Sequence, residues 1–581
     1  MEVNITSRDP VHARSWQQIT SASVFEKGES SEDIRRDICL LTTMMATHND
    51  EPTRLATGAG REDIDRYTGQ LQRLCHISAL LNIGGRSNEA VGTAKIMSAQ
   101  MEAECATLVC AYTERLNVPR EQTEPKAYEE IVPIEGHGQQ LLENWFEARG
   151  SDVDTVPADQ HLIDVVAIMH YLRSITDPVA LSANTFALSK FITCRARYQL
   201  ASRLRSLFGT KLWTENPLTI VKEWFSNVDP SVQPEPRYLA VNPQAEPLFA
   251  RYDLFPSPAG RGIPLSLANV LQWVAALEGI IDELRVQFPR SVLNADAQNK
   301  LEPWPIQERD VVKIVLASLR LEHLLNTSFL SGLEDLKPGL AAKLRGSHSN
   351  ARGRRTSVLE ASTEVEQDGE AHSADDGDDG RFSAPSVIED HENGIQHLQR
   401  FLRSIVAWHA ACYALTGSES IKQPLRVFKY TSSPQLGLVE AHVQAFVNSY
   451  LQCLDQHYDV GATRTALEQR VRSKLHAKAS LMALAHSTSH TPNARLPKSG
   501  VFTSPVVIHV SGKCCWCCDA LAKVLQSEIS HRFVLPETHA TILPWVPPSG
   551  IPVSILKTIR NDLFEIFNKW ICTNPVITPS S

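Results

Sequence analysis

The sequence predicts two unlike parts: an α-helical N-terminal half and a mixed α/β C-terminal domain, joined by a disordered acidic linker. Three observations carry this. Apolar residues recur at three-and-four spacing through most of residues 31–344, the period of a helix that buries one face. From about Ile395 such stretches alternate with short β-type runs. Between the two lie residues 345–394, dominated by Ser, Gly, Asp and Glu, a composition that cannot offset its ordering entropy by burial. A chain of 581 residues exceeds one compact core, and roughly two to four domains are expected.

Residues 1–30 are polar and read as loose. "DIRRDICLLTTMMATH" and "IDRYTGQLQRLCHISALLNI" predict helices, and "AVGTAKIMSAQMEAECATLVCAYTERL" reads as a third, long one ending before Pro119. Residues 226–265 are rich in Pro and lack periodicity, which predicts an irregular connection. "LSLANVLQWVAALEGIIDELRVQF" and "QERDVVKIVLASLRLEHLLNTSFLSGLEDL" predict further helices. His170 and His323 on these faces read as structural or surface histidines. The domain at 395–575 reads in the order helix, strand, helix, strand, helix, strand, strand, helix. Its pieces are "IQHLQRFLRSIVAWHAACYAL", "PLRVFKYTS", "GLVEAHVQAFVNSYLQCL", "PVVIHV", "CCDALAKVLQSEI", "RFVL", "ATILPW" and "PVSILKTIRNDLFEIFNKW". Residues 455–503 read as an insertion.

The formal net charge of −9 belongs to one segment. Glu360 to Gly394 holds twelve acidic residues and one Arg, leaving +2 for the rest. A near-neutral body lacks the strong basic face of sequence-independent nucleic-acid binding. One local exception, residues 463–480, carries five Lys or Arg and one Glu. It reads as a basic helix that either tracks a phosphate backbone or is simply solvated. In the linker, "RRTSV" around Ser357 resembles a basophilic kinase substrate. The polar start without an apolar core segment, and the absence of a run of roughly eighteen apolar residues, predict an intracellular protein with no membrane span. Its cysteines are then expected as thiols.

Four of the twelve cysteines stand together in "VIHVSGKCCWCCDALAKVL", where a strand gives way to a helix. Cys-x-x-Cys at a helix start points two sulfurs the same way, and the free N–H groups of that end favour thiolates. Two pairs have the spacing, Cys514 with Cys517 and Cys515 with Cys518. The second leaves Trp516 and Cys517 to the core. A redox dithiol or plain packing are the alternatives to a Zn2+ site. A pair also needs further ligands, and Glu440 and His442 in "VEAHVQAF" are candidates at the start of the preceding helix.

The C-terminal part resembles the OTT-type deaminases, a branch of the cytidine deaminase-like superfamily expanded in fungi. The resemblance rests on "VIHVSGKCCWCCDAL", on "RFVLPETHATILPWVPPSGIPVSIL" and on "VEAHVQA", and covers about residues 395–575. It implies a three-layer α/β deaminase-like domain and a Zn2+ centre held by Cys515, Cys518 and a residue of the third stretch. It also implies attack by zinc-bound water on a base of a nucleic acid or nucleoside. The family has His-Ala-Glu where "VEAH" stands, so Glu440 falls on the ligand position and His442 on the acid/base position. Either the two roles are exchanged, or His442 is itself the third ligand and no base remains. Near this site His539 is either a further polar group or a hydrogen-bonded fold residue, and Trp516 and Trp545 either stack on a base or belong to the core. Three functions follow. One is a zinc deaminase with His442 and Glu440 as catalytic residues. The second is a degenerate deaminase fold with a structural zinc, meeting protein partners through its helical half. The third is a metal-free protein with a redox-sensitive cysteine cluster.

Overall fold

The computed structural model describes residues 30–48, 61–83, 94–102, 105–112, 114–115, 128–149, 156–208, 213–226, 235–260, 262–294, 304–347, 393–417, 425–430, 474–490, 506–508, 514–528, 532–535 and 541–573. The Ser357 motif, Glu440, His442 and His539 lie outside these residues, as does most of the expected linker. The architecture is predominantly helical with small sheets. Among the described residues no helix is long and apolar enough to cross a membrane.

One mixed sheet organises the molecule. Its strands are β1 (Ala94–Glu102), β2 (Cys105–Tyr112), β4 (Tyr128–Ile131) and β7 (Leu425–Tyr430), in the order β1-β2-β7-β4. Strand β2 runs parallel to β7, with Ala106 opposite Leu425 and Ala111 opposite Tyr430, while β1 and β4 are antiparallel to their neighbours. Alternate side chains of β2 enter different cores. Leu108 and Cys110 join one, Val109 and Ala111 the other. Val427 and Phe428 of β7 divide in the same way.

This double burial corrects the expectation of one long helix over 90–116. A strand buried on both faces has no polar alternation and reads as a continuous apolar run. Ala, Met, Leu and Glu around it completed a helical pattern, and the partner β7 lies too far along the chain to be seen locally.

The first core belongs to a helical body. It contains α1 (Arg61–Leu81), α2 (Ala158–Ser174), α3 (Pro178–Phe208), α4 (Val270–Arg285), α5 (Glu308–Leu325), α6 (Phe329–Leu336) and α7 (Gly394–Thr416). The described residues between 226 and 265 are largely irregular, as expected, apart from a short helix and the paired strands β5 (Arg237–Leu239) and β6 (Ile263–Leu265). Helix α7 opens with a capping box, in which Asn393 and Gln396 each bond the other's backbone N–H. Satisfying two orphan donors fixes where it starts. A Cβ on Gly394 would lie 2.4 Å from the Ala341 carbonyl oxygen, so only glycine permits this approach. Along α7, the Arg203 guanidinium sits 4.0 Å over the Trp408 ring and donates to the Ser404 carbonyl. Thus the segment opening the 395–575 stretch packs into the helical body.

The second core gathers the two ends of the chain. Helix α8 (Ser31–His48) packs on α9 (Val553–Thr573). Arg35 donates twice to the Pro547 carbonyl, at 2.9 and 2.8 Å, and Arg560 pairs with Asp37 at 2.9 Å. The Trp545 amide donates to Thr42 Oγ1 at 3.0 Å. Trp545 is fully buried, so it is a core residue. Among the described residues of the "ATILPW" stretch, 541–545, only Trp545 pairs, as a single bridge and not as a strand. Residues 455–503, expected as an insertion, contain β8 (Lys474–Leu475) and α10 (Ala477–His490), and α10 is central to this core.

A titratable cluster lies where α3, α5 and α7 meet. His409 Nδ1 is 2.9 Å from Ser189 Oγ, and its Nε2 is 3.6 Å from Glu322 Oε2. Burial lowers His409 to about 3 and raises Glu322 from 4.5 to about 7. The raised carboxyl means that the folded state holds its proton more tightly than the unfolded chain. Its effect on stability is nil below about 4.5, and stability is lost as pH rises from there through 7. Glu322→Gln removes that loss. We expect the variant to match the native chain near pH 4.5 and to exceed it at pH 8, by at most about 3 kcal/mol. Thermal unfolding at both pH values checks this; an unchanged difference between them contradicts it.

Candidate metal centre

Two helix N-termini converge in the second core. Helix α10 starts after β8, whose pairing with β3 (Glu114–Arg115) places Lys474 opposite Arg115 and Leu475 opposite Glu114. The next residue, His476, is the N-cap, since its carbonyl accepts from the Ser480 amide at 3.1 Å. Helix α11 (Trp516–Glu528) starts in the same manner. The Cys515 carbonyl accepts from the Asp519 amide at 3.1 Å, and Cys518 lies in the first turn. The Trp516 amide, one of the orphan donors of that end, donates to the Thr541 carbonyl at 2.9 Å. Upstream, β9 (Val506–Val507) runs parallel to β10 (Phe533–Val534) and delivers the chain toward the cysteines.

The two N-termini bring His476 to Cys515 and Cys518. His476 Nδ1 is 3.3 Å from Cys515 Sγ and 3.6 Å from Cys518 Sγ. The three potential ligand atoms all lie within 4.8 Å of one another. A tetrahedral zinc ion with Zn–S of about 2.3 Å and Zn–N of about 2.05 Å requires sulfur–nitrogen edges of about 3.6 Å. The observed separations match that edge, and two thiolates with one imidazole are a donor set zinc accepts. Both cysteines are buried and His476 is half-buried.

Electrostatics favour a cation here. Burial pushes the Cys518 thiol up, hydrogen bonds with Cys514 and Cys515 push it further, and Cys517 is raised chiefly by burial. Unaided, a thiolate at Cys518 is costly; a coordinated metal reverses that preference. The helix ends contribute in the same sense as the metal, each a partial positive charge.

The Cys515–Cys518 pair is therefore the one the spacing favoured, with Cys517 in the core and Trp516 half-buried. The third member was missed. Glu440 and His442, expected beside the cysteines, lie outside the described residues. His476 stands instead in the stretch read as a basic helix, whose described part is strand β8 followed by the start of α10. A signal was available: "LHAKASLMALA" has the His-Ala of the deaminase pattern at a strand-to-helix junction, followed by Lys478 where that pattern has Glu. The stretch "VEAH" holds a Glu and a His two apart, and so carries both residue types of the pattern. Of the other candidates, His170 is exposed and His323 half-buried, and both lie in the helical body.

No protein family, no curated protein and no solved structure matches this chain.

The full-length protein, purified with zinc present, is expected to hold about one zinc per chain, lost in Cys515→Ser/Cys518→Ser and reduced in His476→Ala. Elemental analysis after exhaustive dialysis reads this. Retention of full zinc by the double variant contradicts the assignment.

Proposed function

We propose that the chain is a zinc-binding protein with a deaminase-like three-layer domain, whose centre lacks the proton-carrying carboxylate at its usual place. It then acts by binding, with zinc as a staple between α10 and α11. The observation that carries this is the pairing of a His476–Cys515–Cys518 cluster with Lys478 two residues after the histidine. In the zinc-deaminase signature, His-x-Glu faces Cys-x-x-Cys, and the glutamate, not a ligand, moves the proton. A lysine ammonium there has no lone pair to accept one. The strand β9 leading to the Cys-x-x-Cys helix, the parallel β9–β10 pair and the sheet between two apolar cores are compatible with the deaminase layout.

In this reading the second core depends on the metal. Helices α10 and α11 bury a cluster of thiols, and a metal ion there compensates their ionisation. The helical body supplies the surface on which protein partners dock.

A second reading has one observation in its favour. Three protein ligands leave a fourth position, the arrangement of catalytic zinc sites. Hydrolytic removal of an amine from a base of a nucleoside or nucleic acid then requires a proton carrier from elsewhere, and Glu440 and His442 are the sequence's candidates.

Ammonia release distinguishes the two. The zinc-loaded native chain is expected to release none from cytidine, deoxycytidine, adenosine or single-stranded DNA. Lys478→Glu, which restores the signature, is expected to keep the zinc and to raise release above the native background. Zinc-dependent turnover by the native chain, abolished in Glu440→Gln or His442→Ala, contradicts the binding reading and supports the second.

A further inference from the structure

We propose that metal occupancy at His476, Cys515 and Cys518 controls the seating of helix α8, with residues 541–547 as the connector between them. The inference rests on reading the cluster as a metal centre.

The connector is bonded at both ends. Trp516 follows the N-cap cysteine, and its amide donates to the Thr541 carbonyl at 2.9 Å. Holding Cys515 and Cys518 on one ion fixes the peptide between them, and with it this bond. From Thr541 the chain passes through the buried Ile542, Trp545 and Val546. It then meets α8 twice. The Trp545 amide donates to Thr42 Oγ1 at 3.0 Å, and the Pro547 carbonyl accepts from Arg35 at 2.9 and 2.8 Å. Residues 541–544 belong to neither helix nor strand, so no ladder fixes their path independently of these ends.

Helix α8 is sensitive to where the connector lies. Its apolar residues Ile34, Ile38, Leu41 and Met45 share one face and enter the second core, the spacing of a helix buried along one stripe. Arg35 lies in that interface, buried, and donates to a neutral carbonyl rather than to a carboxylate. A shift of the Pro547 carbonyl leaves that guanidinium buried without its acceptor, one of the costlier defects a fold can carry. Lifting α8 out returns the charge to water. Local openings of this kind need not unfold the rest of a molecule. Loss of the metal loosens the first turn of α11, then the connector, and uncovers the apolar stripe of α8 together with the face of α9 beneath it. The centre thereby converts metal status into the presence or absence of an exposed apolar surface.

Hydrogen exchange of the full-length protein, zinc-loaded and after chelation, tests this. Amides of α8 are expected to open about 5- to 150-fold more often without metal, while α3 and α7 of the helical body keep their protection. Two substitutions at one position isolate the connecting bond. Trp516→Ala and Trp516→Pro both remove the indole, but only proline removes the N–H, and the first helical position accepts it. Both should retain one zinc per chain. The zinc dependence of α8 exchange should survive in Trp516→Ala and vanish in Trp516→Pro. At the far end Thr42→Val should weaken zinc binding, since such coupling is reciprocal. Equal α8 exchange with and without metal overturns the proposal, as does loss of protection across the helical body in parallel with α8. So does the same result for Trp516→Ala and Trp516→Pro, or unchanged zinc affinity in Thr42→Val. Failure of the metal reading looks different: the native chain retains no zinc, or Cys515→Ser/Cys518→Ser retains all of it.

Discussion

The parallel pairing of β2 with β7 is the constraint on which the remaining structure depends. It joins residues 106–111 to residues 425–430 and buries the strands from both sides. Side chains on one face fix the helical body, and those on the other fix the layer that carries the cysteines. Closing so long a loop adds little entropy beyond a shorter one, since the cost grows only with the logarithm of length. The two-sided burial of Leu108, Val109, Cys110 and Ala111 readily offsets it. From this partition it follows that neither layer is continuous in the chain. Helix α7, from the C-terminal half, belongs to the helical body, and α8, from the N-terminus, closes the cysteine layer through Arg35, Asp37 and Thr42.

That second layer exists to hold two helix N-termini in contact. An N-cap stands at the end of a helix where backbone N–H groups lack partners and the potential is positive. Placing His476 and Cys515 at two such positions, with Cys518 one turn in, gathers three soft donors at tetrahedral-edge distances. The burial that makes Cys517 and Cys518 reluctant to ionise also keeps bulk water from the sulfur side of the site. Structure and chemistry are coupled: the fold brings thiols into a place where only a cation makes their ionisation favourable.

Much of the helical body was legible because its elements are local and one-faced. Helices α8, α1, α4 and α5 carry the three-and-four period within their own sequence. The cysteine pair was legible because spacing alone decides which sulfurs share a side. What was not legible depends on pairing across the chain. Strand β2 lacks alternation because Leu108 to Ala111 are buried on both faces, and it therefore passes for a helix. The third ligand was hidden for a chemical reason. His476 is followed by Lys478 rather than by the carboxylate that makes the pattern recognisable, and its neighbours Arg470, Arg472 and Lys474 suggest a solvated basic face.

The central claim is that one metal ion is held by two sulfurs and one imidazole nitrogen, from Cys515, Cys518 and His476. Zinc-edge X-ray absorption of the full-length protein tests it most directly. The account predicts a shell of two sulfurs at about 2.3 Å and two nitrogen or oxygen atoms at about 2.0–2.1 Å. A shell of four sulfurs, or one of nitrogen and oxygen alone, contradicts it.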